Sequence, residues 1–539
     1  MTGFEHALLL ILLMTALSVV GRRIPVPLPI IYVGGGTLAA LVPGFPEIDL
    51  DPGFFFLCFV PPLLFADGWL TPLRDFKAAW RPIVTLATGL VVITTVGVGL
   101  VAWWLVPGLP LAMAFALGAV VSPTDAVAIS AITQRLKIPA RLNTIINGES
   151  LMNDATGLVA FKVALGAMAV GAFSLKAATM EFLVLALGGL IVGFVVSWVV
   201  GWLRDQLKCF RSTDAFVEVT VSLMTPFAAY LAANPLGVSN ILAVVAAGLY
   251  AGWRDPVRME PATRQTAWAV WSVLLFWLNG LAFVLLGLQF PAVFESVTGM
   301  YSHAQLLLFV AATSGVAILI RIVWMYPGGY LPYFIFRRAL RNEPRPNRAS
   351  LLVAGWAGLR GTITLAAALS IPETLPDGSP FPGRHIVIVL AAGVIVVTLL
   401  LQGTTLEWLI RKLGVEADDS MLREENHARL SAVQAGLKAL LDTTSPAALA
   451  EGETARRRVI AEYELRLAEL TAEGENRNQA RQQRDDARAL RLTALRAERA
   501  ALDDLWQRDI ISDETHRPLQ QLLDFEEATL GASPVPQNH

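Results

Sequence analysis

From Asn147 to Phe161 the chain reads NGESLMNDATGLVAF. The run has the look of a buried apolar helix, yet Glu149, Asn153 and Asp154 sit inside it. Whether that helix lies in water or in lipid decides the fold.

Composition answers for lipid. Of 539 residues 55% are hydrophobic and only 16% charged, with 25 Phe and 14 Trp, and the mean hydropathy is +0.55. A soluble globule of this size is not so apolar. The formal net charge of -2 hides an asymmetry. Nearly all charge lies in connecting loops and from about Val415 onward, which predicts a membrane domain over 1–412 and a cytoplasmic helical domain over 413–539. Cys58 and Cys209 stand in or beside apolar stretches without metal-ligand spacing, so neither a disulfide framework nor a zinc site is indicated. The opening MTGFEHALLL lacks a basic lead-in and a small-residue cleavage site, so the first apolar run is expected to stay as a helix.

A hydrocarbon core of about 30 Å takes about 20 apolar helical residues, fewer where protein shields them. Thirteen runs meet this: 6–20, 28–43, 53–69, 82–106, 110–131, 146–171, 178–203, 214–233, 238–252, 265–290, 304–335, 349–371 and 385–410. Odd-numbered loops hold Arg22 and Arg23; Arg74, Lys77 and Arg81; Arg135, Lys137 and Arg141; Arg204, Lys208 and Arg211; Arg254, Arg258 and Arg264; and Arg337, Arg338, Arg341, Arg345 and Arg348. Even-numbered loops offer only Lys176 and Arg384. Because Lys and Arg collect on the cytoplasmic side of short loops, the N-terminus is expected outside and the C-terminus inside. In the tail, ETARRRVIAEYELRLAEL and ARALRLTALRAERAALDDLW space Leu and Ala helically amid mixed charge, which predicts amphipathic helices in a bundle.

An ionisable residue at the bilayer centre costs at least about 2.5–3.5 kcal/mol, so each one points to a site. They are Asp67 in span three, Asp125 in span five, Glu149, Asp154 and Lys162 in span six, Glu218 in span eight, Arg321 in span eleven and Arg360 in span twelve. Pro123 in VVSPTDAVAI lacks an amide proton and clashes one turn back, so span five is expected to break beside Ser122, Thr124 and Asp125. An interrupted helix survives in a membrane where it faces protein, water or an ion. At about 100° per residue, Ser150 and Asp154 lie within about 40° of each other while Glu149 stands about 140° from Asp154. Ser150 and Asp154 can share a cation; Glu149 must seek a positive partner, and Arg321 and Arg360 are the candidates. Lys162 reads as an amine that snorkels to a helix end, and Glu218 as interfacial. Gly355, Gly358 and Gly361 recur every three residues, a stripe that lets another backbone come close.

SPTDAVA, NGESLMNDATGLVAF, the Arg of an ILIR run and GLRGTITLA, in that order, resemble the cation:proton antiporter family of bacterial sodium/proton antiporters and animal sodium/proton exchangers. The resemblance covers residues 1 to about 412. It implies an all-α polytopic fold of thirteen transmembrane helices in inverted repeats with interrupted crossing helices, a homodimer in the cell membrane, and elevator-type alternating access. Position by position it makes Asp154 the central ion-binding carboxylate, with Asp125, the Thr124 carbonyl, Ser150 and Asn153 around it. It also pairs Glu149 with Arg321 and makes Arg360 the arginine of the other crossing helix. The family's third-helix acid would fall at Ala66, whereas here the acid is Asp67, displaced by one residue.

The chemistry of the residues leads the same way. A hard monovalent cation takes oxygen ligands, and a carboxylate holds either that cation or a proton, so exchange is competition for one site. The expected activity is transport rather than catalysis: sodium, or potassium or lithium, against protons, electroneutral, for pH and sodium homeostasis. No cofactor or nucleic acid is called for, and the chain has no phosphate-cradling glycine loop. A cation channel would need a filter motif, and an intramembrane aspartyl hydrolase a GxGD context; the sequence has neither.

Overall fold

In a bilayer each backbone amide must bond within its own segment, so long apolar runs have helix as their one outcome. The computed structural model describes residues 3–24, 26–46, 51–125, 128–130, 136, 138–170, 175–209, 214–297, 299–335, 347–375, 378–415, 420–442, 452–471, 474–508 and 510–531. Arg135, Lys137, Arg211, Arg337, Arg338, Arg341 and Arg345, part of the orientation pattern, lie outside the described residues. Among the described residues the chain is helical, with one isolated bridge between Thr374 and Pro380. It divides into two units, Met1–Asp418 and Asp419–His539.

The first unit contains α1 (Gly3–Gly21), α2 (Leu28–Ala40), α3 (Pro52–Cys58), α4 (Val60–Leu70), α5 (Leu73–Leu105), α6 (Leu111–Val120), α7 (Ala140–Val170) and α8 (Leu175–Cys209). It continues with α9 (Ala215–Ala233), α10 (Asn240–Arg258), α11 (Pro261–Glu295), α12 (His303–Ile335), α13 (Arg348–Trp356), α14 (Thr362–Leu369) and α15 (Arg384–Leu413). Each of the thirteen apolar runs falls on one helix or a broken pair. Among the described residues seven helices, counting α3 with α4 as one, are long and apolar enough to cross a bilayer, and three more are apolar but shorter. The runs at 146–171, 238–252 and 349–371 miss that test for visible reasons: α7 carries the acids, α10 ends in the polar GWRDPVR, and the last is split.

Helices outrun the apolar counts. α5 starts at Leu73 rather than 82, because Arg74, Asp75, Lys77 and Arg81 end the apolar run without ending the helix. Arg204 and Asp255, which fall among loop charges when only apolarity is counted, form a buried ion pair between α8 and α10, and Asp255 also accepts from Trp69 Nε1 at 3.2 Å. Glu218, in the first turn of α9, is buried in the protein at 4% exposure.

Two sets of neighbours place the site. α5 lies along α6, α7 and α12, while α10 lies along α4, α8 and α9. α2 crosses α11 so closely that a methyl on Gly36 would stand 3.2 Å from the Cα of Gly287, and Thr37 Oγ1 donates to the Gly287 carbonyl at 3.0 Å. Such backbone proximity through small residues is how helices pack without a solvent-driven force between them.

The second unit comprises α16 (Ser420–Asp442), α17 (Gly452–Thr471), α18 (Gly474–Gln507) and α19 (Asp513–Gly531). They pair as α16 with α17 and α18 with α19. Arg456 donates to the Leu440 and Leu441 carbonyls at 3.0 and 2.9 Å, satisfying the open end of α16. Arg499 bridges Asp524 and Glu527, each at 2.6 Å.

Candidate functional site

Two helix breaks face each other. α6 stops at Val120, the chain runs non-helically through Pro123 to Asp125, and helix resumes at 128–130. On the other side α13 ends at Trp356 and α14 begins at Thr362. The breaks are joined by backbone, the Asp125 N–H donating to the Leu359 carbonyl at 2.8 Å. Each supplies what the other's interruption leaves open.

The Asp125 carboxylate accepts from the Ala128 N–H at 3.3 Å, capping the resumed helix deep in the protein. A Cβ on Gly361, the residue before α14, would collide with that same carboxylate. The N-terminal ends of two half-helices, each with partial positive charge, therefore meet at Asp125. The three glycines do not form one stripe, because the helix unwinds between them. Gly355 faces Ile322, Gly358 faces Arg321, and Gly361 alone serves the close approach to span five.

α7 brings the other residues. Ser150 Oγ donates to the Thr124 carbonyl in a short hydrogen bond. Asn153 spends its amide on the break: Nδ2 donates to Thr124 Oγ1 at 2.9 Å and to Glu149 Oε1 at 3.5 Å, and Oδ1 accepts from the Thr124 N–H at 3.4 Å. Of the two candidate arginines, Arg321 meets Glu149, through Nη1–Oε1 at 2.5 Å and Nη2–Oε2 at 3.0 Å, both side chains fully buried. Its Nε donates to the Ala354 carbonyl at 3.3 Å. That carbonyl is open because Gly358 N–H, its partner in a continuous helix, turns to Trp356 instead. Arg360 folds over its own break, Nη1 donating to the Gly358 carbonyl at 2.7 Å, while its N–H donates to Thr398 Oγ1 at 3.2 Å.

Two carboxylates are left over, Asp67 and Asp154, both on one cavity and neither with a side-chain hydrogen bond or ion pair among the described residues. Asp154, 8% exposed, makes no side-chain hydrogen bond or ion pair among the described residues. It lines a cavity of about 30 Å³ together with Asp67, Thr124, Asp125, Ser150 and Thr362. That is room for about one or two waters or a small desolvated cation. Asp67 lines the same wall despite its one-residue displacement, whereas the Asn153 side chain does not. Among the described residues no three His, Cys, Asp or Glu side chains gather closely enough to cage a metal ion. Lys162 is exposed on the wall of a second cavity of about 910 Å³, with Tyr230, Asn240, Gln289 and Arg384.

Reading the charges alone misses the neutral lining, Asn279 of α11 and Thr362 and Thr364 of α14. Asn279 could have been found by the rule that flagged the acids, since LLFWLNGLAF is apolar but for that amide. The threonines hide among ordinary membrane-helix hydroxyls.

Residues 8–412 match the family described as sodium/hydrogen exchanger, transmembrane. The chain is 38% identical over 545 residues to an uncharacterised Na(+)/H(+) exchanger of Escherichia coli (strain K12), covering 98% of each. It is 36% identical over 523 residues to the sodium, potassium, lithium and rubidium/H(+) antiporter of Bacillus subtilis (strain 168), covering 96% of this chain and 77% of that one. In fold it is similar to the sodium proton antiporter MjNhaP1 from Methanocaldococcus jannaschii, with a TM-score of 0.58 at 17% identity over 76% of this chain and 98% of the other.

Proposed function

This chain belongs to the sodium/hydrogen exchanger family, and we propose that it is a secondary antiporter that exchanges sodium for protons at Asp154. The observation that supports this most is the division of labour among the buried acids. Glu149 is held by Arg321 and Asp125 caps a helix, while Asp154 faces a cavity without a partner. A carboxylate so placed holds a cation or a proton in turn.

In this reading the ion binds to the Asp154 carboxylate with oxygens from Ser150, Asp125, Thr362 and the Thr124 carbonyl. The Ser150 hydroxyl donates to the Thr124 carbonyl, which sets its oxygen beside the break at Thr124. Asn153 acts one step back, tying the Thr124 break to the Glu149–Arg321 pair. Asp67 lines the same cavity. The two facing breaks move as one piece against the α4–α10 side, carrying the site between the two membrane faces in an elevator cycle. Exchange is electroneutral, because on α7 Asn153 cannot take a proton and Glu149 stays with Arg321. Residues 1–412 form the exchanger, homodimeric in the cytoplasmic membrane with its N-terminus outside, and residues 413–539 form a cytoplasmic helical domain. The physiological role is sodium and pH homeostasis.

A second reading, potassium or broad alkali-cation exchange, is favoured by the Bacillus subtilis antiporter named for sodium, potassium, lithium and rubidium, which is similar over nearly the whole chain. The test is the purified protein in sealed proteoliposomes with an internal pH dye, given each alkali cation in turn. Cation-driven pH change that Asp154→Asn abolishes supports exchange at this site. No cation producing such a change refutes it, and the order of half-saturating concentrations decides between the two readings.

A further inference from the structure

A neutral amide shares the cavity of Asp154. Asn279 of α11 lines it together with Asp67, Asp125, Ser150 and Thr362. It is half-buried, stands in the otherwise apolar stretch LLFWLNGLAF, and makes no side-chain hydrogen bond among the described residues. A polar side chain inside a membrane helix is expensive and ordinarily bonds across to a neighbouring helix. Asn279 makes no such bond; what it adjoins is the cavity.

The rest of α11 fixes where that amide stands. A Cβ on Gly280 would collide with the Met14 thioether of α1 and come within 3.5 Å of the Tyr32 ring of α2. Seven residues on, one on Gly287 would stand 3.0 Å from the Thr37 amide of α2. Successive residues of a helix point about 100° apart, so with Gly280 pressed against α1 and α2 the residue before it turns to another side, where the cavity lies. Asn279 is thus carried by a helix that packs mainly along α2, whereas Asp154 belongs to α7, which packs along α5 and α6. Its chemistry also differs from that of its neighbours on the cavity. Hard cations accept asparagine carbonyl oxygens as ligands, and an amide brings neither a charge nor a proton to exchange. Among three carboxylates, such an oxygen strengthens cation binding without adding a proton carrier.

We propose that Asn279 is a further ligand of the transported cation, its Oδ1 adding from α11 a neutral oxygen to those of Asp154, Asp125, Ser150, Thr362 and the Thr124 carbonyl. This deepens the reading of exchange at Asp154 and rests on it.

The test combines melting in detergent with exchange in proteoliposomes. Asn279→Leu, similar in volume and too apolar to admit a water in place of the oxygen, is expected to melt with or above the wild type, because no protein partner is lost. It should raise the apparent KM for sodium about tenfold with the maximal rate retained, as loss of one neutral ligand of a charged group would. Asn279→Ala carries the same expectation and decides if the longer side chain prevents folding. Asn279→Asp keeps an oxygen at the Oδ1 position but has no amide N–H, and its KM should be no higher than that of the wild type. An unchanged KM in a folded Leu or Ala variant would overturn the proposal. So would an Asp variant impaired as the Leu variant is, which would make the N–H rather than the oxygen the active group, and so would melting below the wild type in both the Leu and Ala forms, which would show the amide to hold helices together. A wild type that exchanges no cation would instead fell the exchange reading itself, and this ligand with it.

Discussion

Glu149→Gln is expected to cost this protein about 3–5 kcal/mol of stability, the penalty for removing one partner of a buried pair. The magnitude follows from the geometry. Both residues are 0% exposed, and they meet through two parallel bonds at 2.5 and 3.0 Å. Glutamine keeps one acceptor but sets an NH2 against an arginine NH2, leaving a guanidinium charge without a counterion where water does not reach. Against a typical total of about 5–15 kcal/mol, that is a large fraction. Glu407–Arg411, at 2.7 Å, is as short, yet both side chains are largely exposed and such a helical pair is worth about 0.3–0.5 kcal/mol. The assay is the melting curve of purified protein in one detergent for the wild type, Glu149→Gln, Glu407→Gln and the double variant Glu149→Leu with Arg321→Met. The first substitution should lower the melting temperature sharply and the second leave it unchanged. The double variant should recover much of the loss, because apolar replacement of both partners removes the stranded charge. A Glu149→Gln protein that melts with the wild type would refute the view that this pair holds α7 to α12.

Asp154→Asn should abolish exchange in proteoliposomes and leave melting unchanged, since no partner is lost. Asp125→Asn should abolish exchange and also stay folded, because the asparagine oxygen can still accept from Ala128; a collapse of either protein in the melting assay contradicts this. Gly361→Ala should abolish exchange by driving a methyl into the Asp125 carboxylate, whereas Gly34→Ala, with nothing within 4 Å, should transport like the wild type. A cysteine at Gly3 should react with an impermeant reagent from outside the cell, and labelling confined to inside-out vesicles would reverse the topology. With the membrane clamped by valinomycin at several potassium potentials, the sodium/proton equilibrium should not move. A net charge would add about 2.3 kcal/mol per 100 mV, so a visible shift would make Asp125 a second proton carrier.

What could be read from the sequence was whatever depends on local pattern. Apolar length located the helices, and the proline of VVSPTDAVAI announced the first break, because missing an amide proton is a property of the residue itself. The angle between Glu149 and Asp154 separated their tasks before any coordinates. The second break escaped such reading: nothing in GWAGLRGTITL forbids a continuous helix, and it opens because Leu359 is wanted by Asp125 across space. The choice between Arg321 and Arg360 as partner of Glu149 was open for the same reason, since both are single guanidiniums in apolar spans. Arg204 and Asp255 were hidden by the opposite error, charge at a helix end being read as loop when it was a buried pair.

Most polar groups around the two breaks hold one another, while the Asp67 and Asp154 carboxylates have no side-chain partner among the described residues. Asn153 ties Thr124 to Glu149, Glu149 ties Arg321, and Arg321 ties the loose carbonyl at the end of α13. The chain of bonds therefore runs from one interrupted helix, through α7 and α12, to the other. Each link satisfies a group that breaking a helix in lipid would strand, which lets two breaks persist side by side. Had Asn153 been an acid, it could not donate to Thr124 and to Glu149, and the first link would be lost along with the neutrality of the pair. The amide is thus required by the frame as much as by any count of transported protons. With Glu149, Ser150 and Asn153 all hydrogen-bonded into that frame, Asp154 is the acid of α7 without a partner among the described residues, which is why the proposed exchange at Asp154 need not loosen the structure around it.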